Sequence, residues 1–428
     1  MTTPINVKKN SVQPTLSEEE IQIIVQYWIR IIKIKLGWIR DFDKFVVNYV
    51  TFFVFFKSKY LFVVIATTVF MIDSFCVSSK LLKIFNGHNT RVYSIDNFTF
   101  DDCQFICSGS GDRTVRVWDV KTTKQIQSFN EHLSYVFCVK FSQYHYRSNK
   151  RTVICSSSSD KTIRFWDIKY NRSFQIFTGH TSSVYGMKFS PFNGGRYLCS
   201  GSFDKTIRLW DVETSKSLHI FYGHEGCVWC VDFSPLQGNN KNDKSNSIGV
   251  IGGNGYTICS GAWDNTIRMW DIETTKQLIV FKGHEQFLNS VKYGSNKSGI
   301  SGSTNTILSG SDDNSVRLWD IRSGQQIQVF RHINAVYAAE YSPFINSNEF
   351  GDDSNVICSG SYDNTIRFWD IRSNKELHTI NGDDQEDDGI CCLEFLQLKK
   401  EKKKSNNNSG YGITLCYGSR KGRICIWG

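Results

Sequence analysis

The sequence predicts an all-β fold, a closed propeller of seven four-stranded blades, on the basis of three observations. The segment CSGSGDRTVRVWD at 107–119 recurs five times with small changes, beginning at Cys155, Cys199, Cys259, Leu308 and Cys358. A histidine lies upstream of each copy, and successive histidines are 44–60 residues apart, which is the size of one propeller blade. A degraded seventh copy, CYGSRKGRICIWG, occupies 416–428. Seven copies indicate seven blades.

Each copy contains a predicted strand that is covered on both faces. In TIRFWD, Ile163 and Phe165 point to one face, and Thr162, Arg164 and Trp166 point to the other. This period of two is typical of a β-strand, and large apolar side chains on both faces indicate neighbouring sheets on both sides. The preceding SSDKT predicts a tight turn after another strand, VICSSS.

The order of the copies predicts how the ring closes. Outer strands are expected after six copies, at 125–129, 174–177, 217–221, 277–281, 326–330 and 376–380. The seventh copy is followed by no such strand, and KLLKIF at 80–85 is predicted to supply it. The N-terminal and C-terminal segments then share one blade, which removes two open sheet edges. We therefore expect the propeller to span 77–428 and an N-terminal extension to span 1–76.

Gly-His near the start of a copy and Trp-Asp at its end resemble the WD40-repeat family, the G-protein-β-like propellers, over residues 81–428. The resemblance implies a propeller that binds proteins or peptides in a multiprotein complex. It also implies one buried His–Ser–Asp–Trp network, a tetrad, in each of six blades. In chain order the implied tetrads are His88, Ser108, Asp112 and Trp118; His132, Ser156, Asp160 and Trp166; His180, Ser200, Asp204 and Trp210; His224, Ser260, Asp264 and Trp270; His284, Ser309, Asp313 and Trp319; and His332, Ser359, Asp363 and Trp369.

The seventh copy departs from this pattern. Asp383, Tyr417 and Lys421 stand where the family has His, Ser and Asp. A buried polar network rigidifies a sheet only when all its members are satisfied. We therefore expect blade seven to be the least rigid.

Catalysis is not expected, although a Ser, a His and an Asp recur in six copies. A catalytic triad is needed once, and the sequence contains no GxSxG, Walker, GxGxxG or HExxH motif. Six of the 14 cysteines share one repeat position that also accepts Leu308, which indicates a buried apolar site. Cys227/Cys230 and Cys391/Cys392 lack a second pair at ligand spacing, so neither a metal nor another cofactor is expected. The cysteines indicate a reducing intracellular compartment, cytoplasmic or nuclear.

Two repeat positions are predicted to face the channel mouth on one side of the disc. One follows the first apolar residue of the first strand, and the other precedes the turn aspartate. These positions hold a predicted partner-binding set of Tyr93, Phe137, Tyr185, Trp229, Asn289, Tyr337, Phe203, Trp263 and Tyr362. Exposed aromatics are enriched at binding hot spots and can hold Arg or Lys by cation–π contact. The alternative is that the aromatic rings only plug the channel mouth.

Further resemblances leave other functions open. The segment YVF at 135–137 is similar to one that supplies an arginine-clamping Phe in the WD40 core subunit of histone methyltransferase complexes. LWDIR and FWDIR fit the WDxR box of WD40 substrate receptors of cullin-4 ubiquitin ligases, and Arg322 and Arg372 would contact the adaptor. A G-protein β-subunit would need a long N-terminal heptad helix, and the first 76 residues do not supply one.

The charge distribution favours solvated loops over a nucleic-acid site. The net charge is +9, and the basic run Lys399–Lys404 lies in one of four variable insertions. These insertions, 144–152, 236–256, 345–355 and 397–412, fall between the first and second strands of their blades, on the face opposite the aromatic positions. We expect solvated loops there and no nucleic-acid partner.

The extension contains two apolar segments. A capping box at Ser17 and Glu20 predicts an amphipathic helix at about 18–40. The segment 45–72 is apolar but is divided by Lys57-Ser58-Lys59 into halves that are too short for a bilayer-spanning helix, which needs about 20 residues. Hairpin insertion into a membrane, docking on protein and a mis-joined gene model are all compatible with 45–72. A membrane-tethered adaptor therefore remains an alternative, and the oligomeric state is not predicted.

Overall fold

The computed structural model describes residues 70–100, 103–234, 256–294, 305–345, 356–399 and 411–428. The chain divides into two compact units, Met1–Thr68 and Val69–Gly428, and every described residue lies in the second. The helix predicted at about 18–40 lies outside the described residues, as does the segment 45–72 except for its last three positions.

The second unit contains seven four-stranded antiparallel sheets, as the repeats predict. The chain enters through β1 (Phe70–Met71), helix α1 (Ile72–Ser78) and β2 (Leu81–Phe85). Blade one consists of β3 (Val92–Phe100), β4 (Cys103–Ser110), β5 (Val115–Asp119) and β6 (Gln125–Phe129). Blade two consists of β7 (Val136–Phe141), β8 (Val153–Ser158), β9 (Ile163–Asp167) and β10 (Arg172–Phe177), with helix α2 (Gln143–Asn149) between its first two strands. Blade three consists of β11 (Val184–Phe189), β12 (Tyr197–Ser202), β13 (Ile207–Asp211) and β14 (Lys216–Phe221), with a 3-10 turn (Asn193–Gly195) between its first two strands.

Blades four to seven repeat this plan. Blade four consists of β15 (Val228–Phe233), β16 (Thr257–Ala262), β17 (Thr266–Asp271) and β18 (Gln277–Lys282), and blade five of β19 (Leu288–Tyr293), β20 (Thr306–Ser311), β21 (Ser315–Asp320) and β22 (Gln326–Arg331). Blade six consists of β23 (Val336–Tyr341), β25 (Val356–Ser361), β26 (Thr365–Asp370) and β27 (Lys375–Asn381), whereas β24 (Phe344–Ile345) belongs to a separate two-stranded sheet. Blade seven contains β28 (Ile390–Lys399), β29 (Tyr411–Ser419) and β30 (Ile424–Trp427).

The N-terminal strand closes the ring, which confirms the prediction for 80–85. Strand β2 pairs antiparallel with β30, and the order in blade seven is β2-β30-β29-β28. Leu81 lies opposite Trp427, and Phe85 lies opposite Ile424. The outer edge of β30 is therefore covered by a segment that precedes blade one.

A repeated contact joins six of the seven outer strands to the following blade. A phenylalanine at the last or next-to-last position of the strand packs against the tryptophan of the next blade. The pairs and ring-centroid distances are Phe85–Trp118 5.9 Å, Phe129–Trp166 5.1 Å, Phe177–Trp210 5.3 Å, Phe221–Trp270 6.0 Å, Phe281–Trp319 5.9 Å and Phe330–Trp369 5.5 Å. The core consequently consists of layers between blades. The layer between blades one and two, for example, contains Val117, Phe129, Val139 and Trp166.

The segment before β2 packs on the propeller. Strand β1 pairs in parallel with β24, and Ile72 and Phe75 of α1 are buried. The Phe75 ring lies 4.7 Å from that of Phe344 and 5.6 Å from that of Phe368. Residues 70–78 thus cover the apolar side of blade six, and α1 crosses the boundary expected at 76/77.

The antiparallel order of each sheet assigns the connections to two faces. The turns from second to third strand and the connections from outer strand to next blade lie on the top face, and the other connections lie on the bottom face. The insertion 144–152 on the bottom face, expected to be a solvated loop, instead belongs mostly to α2, so that expectation was wrong. His145 is buried there and bonds Ser142 Oγ at 2.8 Å, and Lys150 ends the helix with a left-handed φ of 54°. The other three insertions lie largely outside the described residues.

Candidate functional site

The structure brings the four side chains of each implied tetrad together. In blade one, His88 Nδ1 is 2.8 Å from Asp112 Oδ2, His88 Nε2 is 2.7 Å from Ser108 Oγ, and Trp118 Nε1 donates to Ser108 Oγ at 2.8 Å. The other five tetrads repeat these contacts at 2.7–2.8 Å, except that His332 and Asp363 are 3.2 Å apart.

The protonation of a tetrad follows from its partners. A carboxylate only accepts hydrogen bonds, so Nδ1 of His88 carries the proton and Nε2 accepts from the serine hydroxyl. Burial lowers the pKa of His88, and Asp112 opposes this only in part. Burial on its own raises the pKa of Asp112, but hydrogen bonds from His88 and Thr114 hold that pKa below its ordinary range. The tetrad is thus a neutral imidazole on a charged carboxylate.

The tetrads have the connectivity of a catalytic triad but not its accessibility. Ser108 is fully buried, and its oxygen already accepts from the Trp118 N–H group. The serines of the other five blades are equally buried, at 0% exposure, and each accepts from the tryptophan of its own tetrad in the same way. These five serines are Ser156, Ser200, Ser260, Ser309 and Ser359.

The buried serines are therefore structural residues and not part of a site that a ligand can enter. No substrate carbonyl or partner side chain can reach a hydroxyl that is enclosed between two blades and already bonded to a histidine and a tryptophan. Each of the six networks joins the second and third strands of its blade to the loop that opens the blade, as His88, Ser108 and Trp118 do in blade one. Of the predicted site residues, only those at the channel mouth and on the bottom-face turns are left as candidates for partner contact.

Blade seven uses a different polar anchor. Asp387, only 1% exposed, accepts from the Tyr417 hydroxyl at 2.9 Å and from the Asp383 backbone N–H at 2.9 Å. Because Tyr417 replaces the serine, the buried Nε1 of Trp427 has no hydrogen-bond partner among the described residues. Burial above all, together with the nearby Cys425 and Asp387, raises the pKa of Tyr417. The sequence indicated the missing tetrad but not the role of Asp387.

Six of the nine predicted partner-binding residues form one continuous group on the top face, here called the aromatic collar: Tyr93, Phe137, Tyr185, Phe203, Trp229 and Trp263. Ring centroids are 4.9 Å apart for Tyr93–Phe137, 4.6 Å for Phe137–Tyr185 and 4.3 Å for Tyr185–Trp229. Trp263 stacks on Trp229 at 5.7 Å and lies 6.1 Å from Phe203. Four successive blades supply these rings.

The three other predicted residues lie outside the collar. Tyr337 and Tyr362 form a separate pair with ring centroids 6.2 Å apart. Asn289 interrupts the aromatic series and donates to Asp312 Oδ1 at 2.7 Å. An unpredicted ring, that of Phe287, extends the collar because it stacks on Trp263 at 4.9 Å and is 42% exposed.

Arg91 joins the two ends of the aromatic series. Its guanidinium carbon lies 5.4 Å from the ring centroid of Tyr93 and 5.0 Å from that of Tyr337. The cation site that these two tyrosines offer is therefore filled by a side chain of the same protein. No repeat signal marks Arg91 in the sequence, because it stands in an irregular loop ahead of β3.

The mouth leads into a cavity of about 160 Å³ that is lined by the first strands of all seven blades. Lower in these strands, one repeat position carries a charge in every blade: Asp96, Lys140, Lys188, Asp232, Lys292, Glu340 and Glu394. Lys140 lies 3.0 Å from Asp96, Lys188 lies 3.4 Å from Asp232, and Lys292 lies 2.5 Å from Glu340. Although burial by itself lowers the pKa of Lys140, Asp96 and Glu394 hold that pKa well above its ordinary value. The ring of charges links neighbouring blades. It could have been predicted from the sequence, because one repeat position holds a charged residue in all seven copies.

The two WDxR arginines lie away from the collar. Arg322 and Arg372 are exposed on the turns between third and outer strands, on the bottom face. Their backbone N–H groups donate to Asp320 Oδ1 at 3.2 Å and Asp370 Oδ1 at 2.9 Å, respectively. An adaptor bound there would leave the top face accessible.

Other site chemistry has little support in the described part of the chain. All 14 cysteines fall within it, and none of them forms a disulfide. Burial raises the pKa of Cys107, Cys155 and Cys199 well above the ordinary value, so these thiols remain protonated. Within residues 70–428 as described, no His/Cys/Asp/Glu group is suited to hold a metal ion. The helices of these residues are also too short or too polar to cross a bilayer.

A closed ring of seven sheets with repeated buried tetrads and an aromatic mouth defines a β-propeller of the protein-interaction class. Six segments match the family described as WD domain, G-beta repeat, and together they cover more than half of the chain: residues 79–119, 123–167, 171–211, 215–271, 275–320 and 324–370. The chain belongs to this WD40 family.

Two curated proteins are similar over a short segment. The chain is 39% identical over 69 residues to the U3 small nucleolar RNA-associated protein 15 homolog of Xenopus tropicalis. It is 36% identical over 69 residues to the protein of the same name in Xenopus laevis. The aligned segment covers 16% of this chain and 13% of each relative, so the chain matches only a small part of their length.

Proposed function

We propose that this WD40 propeller is a non-catalytic scaffold that binds protein or peptide partners through the aromatic collar. The observation that carries the proposal is the continuity of the collar, in which rings from four blades meet around one channel mouth. Tyr, Trp and Phe in such a cluster offer large contact areas at a small cost in conformational entropy, which is why they dominate binding hot spots.

Exposed apolar side chains widen this surface. On the top face Leu133 is 76%, Tyr135 48% and Phe203 45% exposed. Contiguous apolar area of this kind is uncommon on a monomeric surface and marks interaction sites. A channel plug alone would not need apolar side chains outside the mouth.

The names of the two relatives favour a role in a nuclear complex. Both are described by name as associated with a U3 small nucleolar RNA. We include in the proposal that this chain is a component of a nuclear multiprotein complex, in which it contacts proteins and not RNA.

Affinity capture from the source cells, quantified by mass spectrometry, tests the proposal. The double variant Phe137→Ala/Trp229→Ala removes two collar rings and is expected to lower partner recovery tenfold or more while the thermal midpoint stays within a few degrees. Asp204→Ala is the stability control, because it leaves His180 without its carboxylate and should cost about 1–3 kcal/mol without removing any one partner selectively.

The double variant Arg322→Ala/Arg372→Ala tests the alternative function, which is binding of a cullin-4 adaptor through the two WDxR arginines. We expect it to retain the partners of the unchanged protein. If it abolishes their recovery and the collar variant does not, the collar proposal is wrong and a cullin-4 adaptor contact on the bottom face replaces it.

A further inference from the structure

The charge of the top face is unevenly distributed around the ring. The residue after each turn aspartate is a cation in blades one to three, namely Arg113, Lys161 and Lys205, and all three side chains are exposed. In blades four to six the same position holds an asparagine. Acidic residues occur on the top loops of blades four, five and seven, where Glu225, Glu285 and Asp384 are exposed. The collar therefore has a positive border on one side.

The carboxylates within that border are either buried in a tetrad or paired with a cation. Asp112, Asp160 and Asp204 are bound by the histidines of their tetrads at 2.7–2.8 Å. Glu131 lies 3.0 Å from Arg164. The tetrad aspartates keep their negative charge, because their histidines are neutral, but their side chains are only 5–8% exposed. The exposed charge on the top loops of blades one to three therefore comes mainly from Arg113, Lys161 and Lys205.

Arg91 places a further cation inside the mouth, between this border and the cavity. Two arginines of the mouth contact tyrosines, but their pairing differs. Arg420 lies 4.5 Å from the Tyr362 ring centroid and also 3.3 Å from Asp388 Oδ2. Arg91 contacts Tyr93 and Tyr337, and no described carboxylate lies within ion-pair distance of it. Burial on its own lowers the pKa of Arg91, but Cys391, Tyr337 and Tyr93 raise it above the ordinary value, so the guanidinium stays charged.

We propose that Arg91 is an anion site, and that the partner segment bound at the collar is an acidic peptide that crosses the mouth over blades one to three. An anionic side chain of the peptide bonds the Arg91 guanidinium, and its apolar neighbour packs on Phe137. Arg113, Lys161 and Lys205 attract the flanking acids. A partly buried guanidinium that lacks a carboxylate gains a charge-assisted hydrogen bond, which is about twice as strong as a neutral one.

This inference rests on the proposed function, since it names the chemistry of the partner bound at the same face. A carboxylate and a phosphate would both satisfy Arg91, so the anion can come from Asp or Glu or from a phosphorylated serine. A cationic peptide is disfavoured, because Arg91 itself occupies the place between Tyr93 and Tyr337 that a cationic side chain would take.

Fluorescence anisotropy with the full chain tests the inference. The probes are four labelled octapeptides of the form Gly-Ser-Leu-Z-Z-Phe-Ser-Gly, in which Z is Glu, phosphoserine, Gln or Arg. We expect at least one of the Glu and phosphoserine peptides to bind tenfold or more tightly than the Gln peptide, and the Arg peptide to bind no better than Gln. The relative affinities of the Glu and phosphoserine peptides distinguish a carboxylate ligand from a phosphate ligand.

Variants assign the preference to one side chain. Arg91→Gln should reduce the affinity for the preferred acidic peptide to that for the Gln peptide, and Arg91→Lys should retain part of the difference. Arg113→Gln is the matched control, because it removes an exposed arginine of the same blade and face and should weaken binding no more than about threefold, as for a screened surface charge. Equal melting temperatures of the variants would show that they are folded.

Three results would overturn the inference: tighter binding of the Arg peptide, an acidic preference that survives Arg91→Gln, or no binding of either acidic peptide. The proposed function fails separately, when the collar variant Phe137→Ala/Trp229→Ala captures partners as well as the unchanged protein does. Partner capture that depends on the collar but not on Arg91 would leave the proposed function in place without the anion site.

Discussion

At the scale of the residue, one serine hydroxyl holds each tetrad together. Ser200 Oγ accepts from the Trp210 N–H group at 2.8 Å and lies 2.8 Å from His180 Nε2, so it connects the third strand to the loop that opens the blade. Asp204 fixes the other side of the histidine and accepts from Thr206 Oγ1 at 2.6 Å. Every polar group of this tetrad is satisfied without water, which is the condition under which a buried network stabilises a fold.

This arrangement makes stability dependent on pH. Burial lowers the pKa of four tetrad histidines, His88, His180, His224 and His284, from the ordinary value of 6.5. Around and below pH 6.5, these histidines therefore bind more protons in the unfolded chain than in the folded chain. The free energy of unfolding consequently decreases as the pH falls. The tetrad aspartates, whose pKa is lowered in the fold, add a further loss below about pH 4.

We predict that the urea midpoint decreases steadily between about pH 7.5 and 5.5, the range in which the unfolded histidines titrate. His180→Gln should lower the midpoint at pH 7.5 but should make its decrease with pH shallower. A midpoint that is constant over this range, or that rises on acidification, would contradict the account of the tetrads.

At the scale of the element, β2 has the same packing role as five of the six other outer strands. Phe85 is 1% exposed and contacts Trp118 of blade one, as Phe177 contacts Trp210 of blade three. Because β2 comes from the other end of the chain, this contact joins the first blade to the last across the closure.

Phe85→Ala is predicted to destabilise the propeller by about 3–5 kcal/mol, the usual cost of truncating a buried phenylalanine. Phe177→Ala is the matched control, since it removes the same contact within the continuous part of the ring. Differential scanning calorimetry should show a lowered midpoint for both variants. If Phe177→Ala lowers it and Phe85→Ala does not, β2 does not close the ring in solution.

The elements that the sequence predicted are those that repeat. The outer strands and the closing strand follow from a pattern with seven copies, in which each copy supports the others. Helix α1 could not be predicted, because Ile72 and Phe75 are fixed by contact with Phe344 and Phe368, which are distant in sequence. Helix α2 was not predicted either, because its sequence is mostly polar. Only one of its residues, His145, is buried against the blade.

At the scale of the whole molecule, closing the ring turns repeated positions into rings of side chains. One position of the first strand contributes to the collar, and the position three residues later contributes to the circle of charges from Asp96 to Glu394. The repeat alignment predicted the first set as aromatic. The roles of the second set and of Arg91 depend on contacts with side chains of other blades. The sequence of a single strand does not show these contacts.

The central claim is that partners bind the top face at the collar, and photo-crosslinking tests it without disturbing the fold. A photoreactive phenylalanine analogue would replace, in separate full-length chains, the exposed residues Tyr135 beside the collar, Ile126 on the outer side and Arg322 on the bottom face. After irradiation in extract of the source cells, crosslinked partners are counted by mass spectrometry. The account predicts a partner crosslinked from position 135 at ten or more times the yield from 126 or 322. Crosslinks that form from position 322 and not from 135 would contradict it.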